Sequence, residues 1–231
     1  MTEEATTAVT TADAALAVPV WDLPIRIFHW SLVALIGFSW WSAENDRLEW
    51  HIWSGMTVLF LLLFRILWGF LGSSTARFSS FVTGPGRLMA YIGDPAGWRG
   101  IGHSPLGALS VIAILAVLLI QVSLGLPISD EDGIYSGPLN ALVSFETAEW
   151  AHHWHHRFFT VVQALIALHV AAILYYRLRG KRLTRAMVTG RIVGDGAVAQ
   201  TMVAAGPVRL LLCLAVAGGV TWWIWNGAPR L

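Results

Sequence analysis

Eight histidines stand in this 231-residue chain, and five of them, His29, His51, His155, His156 and His169, lie in or against apolar runs. An ionisable side chain inside a bilayer is costly, so an imidazole there faces the interior of a helix bundle and has a partner or a ligand. Two kinds of chemistry are open to it: a hydrogen bond to a neighbouring helix, or a ring nitrogen lone pair given to a metal. Spacing narrows the choice. His155 and His169 are 14 positions apart, about 1400° of rotation and so about 40° short of four full helical circles. They share one face, roughly 21 Å apart along the axis. The other members of the His152-His153-Trp154-His155-His156 cluster do not align with His169: His156 is offset by about 140°, His153 by about 160° and His152 by about 100°.

The single cysteine, Cys213, limits what else a redox centre can use. It excludes an internal disulfide, a cysteine-ligated iron–sulfur cluster and the C-x-x-C-H attachment of c-type haem. Histidine remains the ligand.

The elements that must carry these histidines follow from composition. With 56% hydrophobic and 13% charged residues, thirteen tryptophans and a mean hydropathy of +0.62, the chain is an all-α integral membrane helical bundle and not a water-soluble domain. Apolar runs at about 25–42, 51–71, 105–126, 152–176 and 207–225 are each long enough to cross about 30 Å of hydrocarbon as a helix. A four-helix core with a fifth transmembrane helix is the expectation. Trp21, Trp40 and Trp41 bracket the first run as interfacial anchors do, and Pro105 and Pro207 stand near the starts of the third and fifth. The opening Met1 to Val18 is Ala/Thr-rich, with Glu3, Glu4 and Asp13 but no Lys or Arg, and so lacks the basic region of a secretory signal. Residues 1–19 are expected to be a disordered cytoplasmic tail, 20–191 the membrane core, and 192–231 a linker and the C-terminal span.

Loop charges set the direction of threading, because Arg and Lys prefer the cytoplasmic side. The 71–104 connection carries Arg77, Arg87 and Arg99 against Asp94, and the segment after the fourth run carries Arg177, Arg179, Lys181, Arg182, Arg185 and Arg191. The 42–50 connection holds Glu44, Asp46 and Glu49 with Arg47, and 127–151 holds Asp130, Glu131, Asp132, Glu146 and Glu149 with no Lys or Arg. The first pair faces the cytoplasm and the second faces outward, which puts the amino terminus inside and the carboxyl terminus in the periplasm. Between Gly137 and Trp150, Leu139, Leu142, Val143 and Phe145 are mixed with the acids Glu146 and Glu149, as in a short helix lying on the membrane surface.

Threading gives an independent check on the histidines. Span one starts inside at His29, span two starts outside at His51, and span four runs inward from His155 to His169. Depth therefore pairs His29 with His169 and His51 with His155. Facing imidazoles at two levels of a four-helix bundle suit two haem planes, each iron held from both sides and closed to oxygen. Gly37 and Gly55 supply room between helices, either for a porphyrin or for close helix packing. Arg65 follows His51 by 14 positions and shares its face toward the inner side. It either meets an anion such as a haem propionate or snorkels to the interface. Arg26, one turn before His29, is a cytoplasmic anchor or a second propionate contact.

The residues resemble the bacterial di-haem cytochrome b-561 family, which includes the b-type cytochromes of nickel–iron hydrogenases. The matching pieces are Arg26-Ile27-Phe28-His29-Trp30, His51-Ile52-Trp53-Ser54-Gly55, Phe64-Arg65-Ile66-Leu67-Trp68-Gly69, Gly102-His103-Ser104-Pro105-Leu106-Gly107 and Leu168-His169-Val170 with the basic run to Arg191. The resemblance implies two haems b per chain at His29, His51, His155 and His169, in the bacterial inner membrane. It also implies electron exchange with the quinone pool or a protein partner. The fifth span departs from the minimal family pattern and either docks a partner or anchors the chain.

Several functions fit such a chain. In one, electrons pass between membrane quinone and a redox protein at the outer face, where the acidic set would attract a basic c-type cytochrome, unless topology alone explains those acids. In another the chain is a superoxide:quinone oxidoreductase, against which an outward negative field works, with His152, His153 and His156 offsetting it locally. These three could also bind a metal or carry protons. A b subunit of a hydrogenase-like complex and a haem-free scaffold or transporter complete the set. His103, opening span three from inside, is a candidate for a quinone site or an interfacial helix start. No nucleic-acid partner is expected.

Overall fold

Capping residues decide where the long helices begin. The computed structural model describes residues 17–98, 100–129, 133–193 and 201–228. In chain order the helices are α1 Leu23–Glu44, α2 Leu48–Leu71, α3 Phe78–Phe81, α4 Pro85–Gly93, α5 Pro105–Gly125, α6 Phe145–Leu178, α7 Leu183–Thr189 and α8 Pro207–Trp225. At the head of α1, Asp22 Oδ1 accepts from the Ile25 N–H at 2.8 Å. Ser104 does the same for α5 through the Gly107 N–H at 3.2 Å, and Ser144 for α6 through the Thr147 N–H at 3.4 Å. Each side chain satisfies a donor that the first helical turn leaves unpaired. Five of the helices, α1, α2, α5, α6 and α8, are long and apolar enough to cross a membrane.

The fourth span differs from the sequence expectation. It does not follow a separate surface helix over 137–150; Asn140–Leu142 is a single 3-10 turn, and from Phe145 one unbroken helix runs to Leu178. Ser144 starts it early, and no Gly or Pro interrupts the stretch before His152. At 34 residues α6 is about 51 Å long, so it projects beyond the hydrocarbon.

Of the expected tail 1–19, only 17–19 are among the described residues, and they are ordered. Residues 1–16 lie outside the described residues, but Ala17–Pro19 forms a strand, β1, antiparallel to β2, Arg191–Val193, with Val18 opposite Ile192. The pairing continues as the Val20 and Trp21 N–H groups donate to the Gly190 carbonyl at 2.8 and 3.1 Å. Gly190 adopts φ +78°, and a Cβ there would stand 2.7 Å from the Trp21 carbonyl oxygen, so only glycine fits the turn. Backbone groups of 17–19 that water would otherwise solvate are thus taken up by the chain returning after α7. The start of α1 and the basic segment after α6 are thereby joined at one end of the molecule.

Helix α2 is the centre of the packing: half of its apolar window is buried, against 6–17% for the other spans. It packs against α1, α5 and α8, and α5 packs against α6. Trp68 and Leu62, each 1% exposed, fill its core face. The fifth span covers the other side of α2, where Cys213 and Ala217 are fully buried and the Trp53 and Trp225 rings stack 4.7 Å apart. Helix α6 has no such packing against α1 or α2. It faces both across the histidines.

Candidate functional site

At one end of the bundle, the last turns of α1 and α5 and the first turns of α2 and α6 come together. The His51 Nδ1–H donates to the Ser39 carbonyl at 2.9 Å, and the His155 Nδ1–H donates to the Gln121 carbonyl at 3.0 Å. Gln121 returns a bond from Nε2 to the His155 carbonyl at 3.0 Å, which ties α5 to α6. A carbonyl can only accept, so both imidazoles carry their proton on Nδ1 and their lone pair on Nε2. The two rings stand 5.9 Å apart between centroids with perpendicular planes. A metal-ligating histidine is oriented in just this manner, its second nitrogen bonded to a backbone carbonyl. Gly125 matters here: a Cβ would come within 3.0 Å of the His155 ring. At Gly37 and Gly55 a Cβ would meet nothing within 4 Å, so open space adjoins both.

At the opposite end, the beginning of α1 and the end of α6 bring His29 and His169 within electrostatic reach of each other. His29 Nδ1 is buried without a hydrogen-bond partner. Arg65, near the end of α2, is 3% exposed, so it does not snorkel. Its guanidinium carbon stands 5.0 Å from the centre of the Phe78 ring, and Nη1 is buried without a partner. Asp22 is near enough to interact with it electrostatically. Both Asp22 oxygens are engaged, Oδ1 by the Ile25 N–H and Oδ2 by the Trp68 Nε1–H at 2.9 Å. Arg26 is neither free nor lipid-facing: Nη1 donates to the Val188 carbonyl at 2.6 Å, tying α1 to the end of α7.

His103 is the residue that sequence reasoning undervalued. Its ring lies between Trp21 and Phe81, at 4.6 and 4.7 Å between centroids, and its Nδ1 is buried without a partner. Burial, with the Arg65 cation and His169 nearby, pushes its pKa down to about 3, so the ring is neutral. The Gly102-His103-Ser104-Pro105 run carried a signal, a histidine against a capped helix start, but not the aromatic walls, which come from distant segments.

Of the remaining histidines at the His51/His155 end, His156 adjoins the pair, its ring 6.3 Å from that of His155 between centroids. His152 and His156 pack edge to face at 4.8 Å on one face of α6, and His153 contacts Trp154. Among the described residues no group of three or more His, Cys, Asp or Glu is placed to hold a metal ion. Asp130, Glu131 and Asp132 lie outside the described residues, as does Arg99, while Glu146 and Glu149 are exposed on the first turns of α6.

These residues fit a flat prosthetic group between helices. Two imidazoles with Nδ1 committed stand 5.9 Å apart between centroids, glycines border open space, and the buried Arg65 Nη1 lacks a hydrogen-bond partner. Such a fold and site define a membrane protein that holds its redox cofactor within an α-helical bundle. A family model for prokaryotic cytochrome b561 matches residues 20–190, and the chain belongs to that family. Comparison with curated proteins and with solved structures gave no match. The chain is a multi-pass membrane cytochrome that uses b-type haem to transfer electrons.

Proposed function

We propose that the chain carries two haems b, one held by His51 and His155 near the outer face and one by His29 and His169 near the inner face. In this reading it conducts electrons across the bacterial inner membrane between the quinone pool and a redox protein outside. The observation that carries the reading is the His51/His155 pair, in which both Nδ1–H groups are committed to backbone carbonyls. The bound haem supplies reversible one-electron storage. The protein's own part is to hold, orient and insulate. Ser39 and Gln121 fix the outer rings, Gly37, Gly55 and Gly125 leave room, and α8 seals the far side of α2 from lipid.

Orientation is supported by the joining of β1 to β2, which gathers the start of α1 and the basic stretch Arg177 to Arg191 at one end. That end is the cytoplasmic one by the preference of Arg and Lys for it. The opposite end exposes Trp40, Trp41, Trp50, Trp53, Trp150 and Trp154, an interfacial aromatic belt. Glu146 and Glu149 at that end favour a basic partner such as a c-type cytochrome. The test is spectroscopic: His29→Ala and His169→Ala remove one and the same haem component, and His156→Ala leaves both. Loss of haem in His156→Ala with retention in His155→Ala overturns the ligand assignment.

A further inference from the structure

Among the buried side-chain nitrogens without a hydrogen-bond partner at the His29/His169 end of the bundle are Arg65 Nη1 and His103 Nδ1, beside Arg26 Nε and His29 Nδ1. The first two atoms are shielded from water where they stand. Arg65 is 3% exposed and packed against Phe78, and the His103 ring is wedged between Trp21 and Phe81. The wedge is itself fixed from behind. Gly102 adopts φ +84°, where a Cβ would touch the Trp21 ring at 3.5 Å, and Ser104 is committed to capping α5. The neighbouring Asp22 accepts from Ile25 and Trp68, and no hydrogen bond joins it to Arg65 Nη1 or His103 Nδ1. His103 lies within electrostatic reach of both Arg65 and His169.

A buried guanidinium requires a negative charge, which a neutral carbonyl or a water does not provide. The geometry points to a carboxylate clamp made by Arg65 and His103, with a propionate of the inner haem as its ligand and His103 as the positioning residue that sets that haem's potential. This rests on the reading of His29 and His169 as the inner ligand pair. Arg65 supplies charge, and the neutral His103 supplies a directed N–H from a ring that cannot rotate. A quinone headgroup would present only neutral oxygens, which bind a guanidinium less strongly than a carboxylate does.

The test uses purified holoprotein in lipid nanodiscs, with haem content measured and each haem titrated spectro-electrochemically. The inner component is identified as the one missing in His169→Ala. His103→Phe keeps an aromatic ring between Trp21 and Phe81 but removes the donor. It is expected to retain both haems and to lower the inner reduction equilibrium about tenfold, about 59 mV for one electron, with the outer haem unmoved. His103→Gln, which keeps an N–H, restores most of that shift. Infrared difference spectra with haem labelled at its propionate carboxyl carbons show the labelled carboxylate band moving in His103→Phe and returning in His103→Gln.

Unchanged potentials and an unmoved carboxylate band in a fully loaded His103→Phe overturn the clamp while leaving the ligand reading intact. So does an unmoved band accompanied by a raised KM for quinol, which makes His103 a quinone contact. Loss of the inner haem from both His103 variants reduces the residue to packing and overturns the clamp as well. If His29→Ala and His169→Ala remove no common component, the ligand reading fails first and the clamp with it.

Discussion

His51 on α2 and His155 on α6 stand with perpendicular rings 5.9 Å apart between centroids, anchored through Nδ1 to carbonyls of two further helices, that of Ser39 in α1 and that of Gln121 in α5. The anchors matter as much as the spacing. A ring held at one nitrogen offers the other in a fixed direction, which lowers the entropy lost when a ligand bond forms.

The anchoring predicts a steric phenotype away from any ligand. Gly125→Leu drives a branched side chain into the space of the His155 ring, since even its Cβ approaches to 3.0 Å. The variant is expected to lose the outer haem component and keep the inner one, read as about half the haem per chain in a pyridine haemochrome assay. Full haem content with an unchanged spectrum contradicts it.

The two levels are chemically unequal, and the inequality orders their potentials. At the outer level both Nδ1–H groups donate to carbonyls, which makes the ligands more basic and stabilises the oxidised iron. At the inner level the buried Arg65 disfavours the extra positive charge of the oxidised state. The inner haem is therefore expected to lie above the outer one by at least about 59 mV, a factor of ten in reduction equilibrium. Arg65→Gln should narrow that difference. Equal potentials in the parent protein contradict this electrostatic picture.

Much of this was legible in the sequence. The five spans, the alignment of His155 with His169 and the depth pairing follow from hydropathy, a 100° rotation and loop charge. What was not legible depends on contacts between distant segments. Arg65 reads either as a contact to an anion or as a snorkelling residue until Phe78 is seen against its buried guanidinium. His103 reads as a helix start until Trp21 and Phe81 enclose it. Pairing of Ala17–Pro19 with Arg191–Val193 is set by a turn at Gly190, and no local pattern in a three-residue strand announces it. The continuity of α6 was missed because acids among Leu and Phe suggested an amphipathic break, whereas helix caps, not hydropathy, decide where a helix starts.

Asp22 joins two roles, capping α1 and receiving the Trp68 indole. Asp22→Ala removes the cap, a loss of about 0.5–2 kcal/mol, and strands a buried N–H, a further cost of about 1–3 kcal/mol. A lowered Tm in detergent, followed by tryptophan fluorescence, is the expected outcome, with the outer haem spectrum unchanged. An unaltered Tm contradicts it.

Helix α8 seals α2 without reaching the histidines. Ala217, fully buried against α2, has no room for added methylenes, so Ala217→Leu overpacks the seam at a cost of about 1–3 kcal/mol. The variant is expected to lower thermal stability and to expose Cys213 to thiol reagents, while both haem components keep their potentials. A shifted haem potential assigns α8 a part in the redox site and contradicts its role as a seal.

The account stands on the number of haems the four histidines hold, and haem stoichiometry measures it most directly. A pyridine haemochrome assay on purified protein, set against chain concentration from amino-acid analysis, is predicted to give two haem b per chain. A ratio of one, or a colourless preparation, contradicts it.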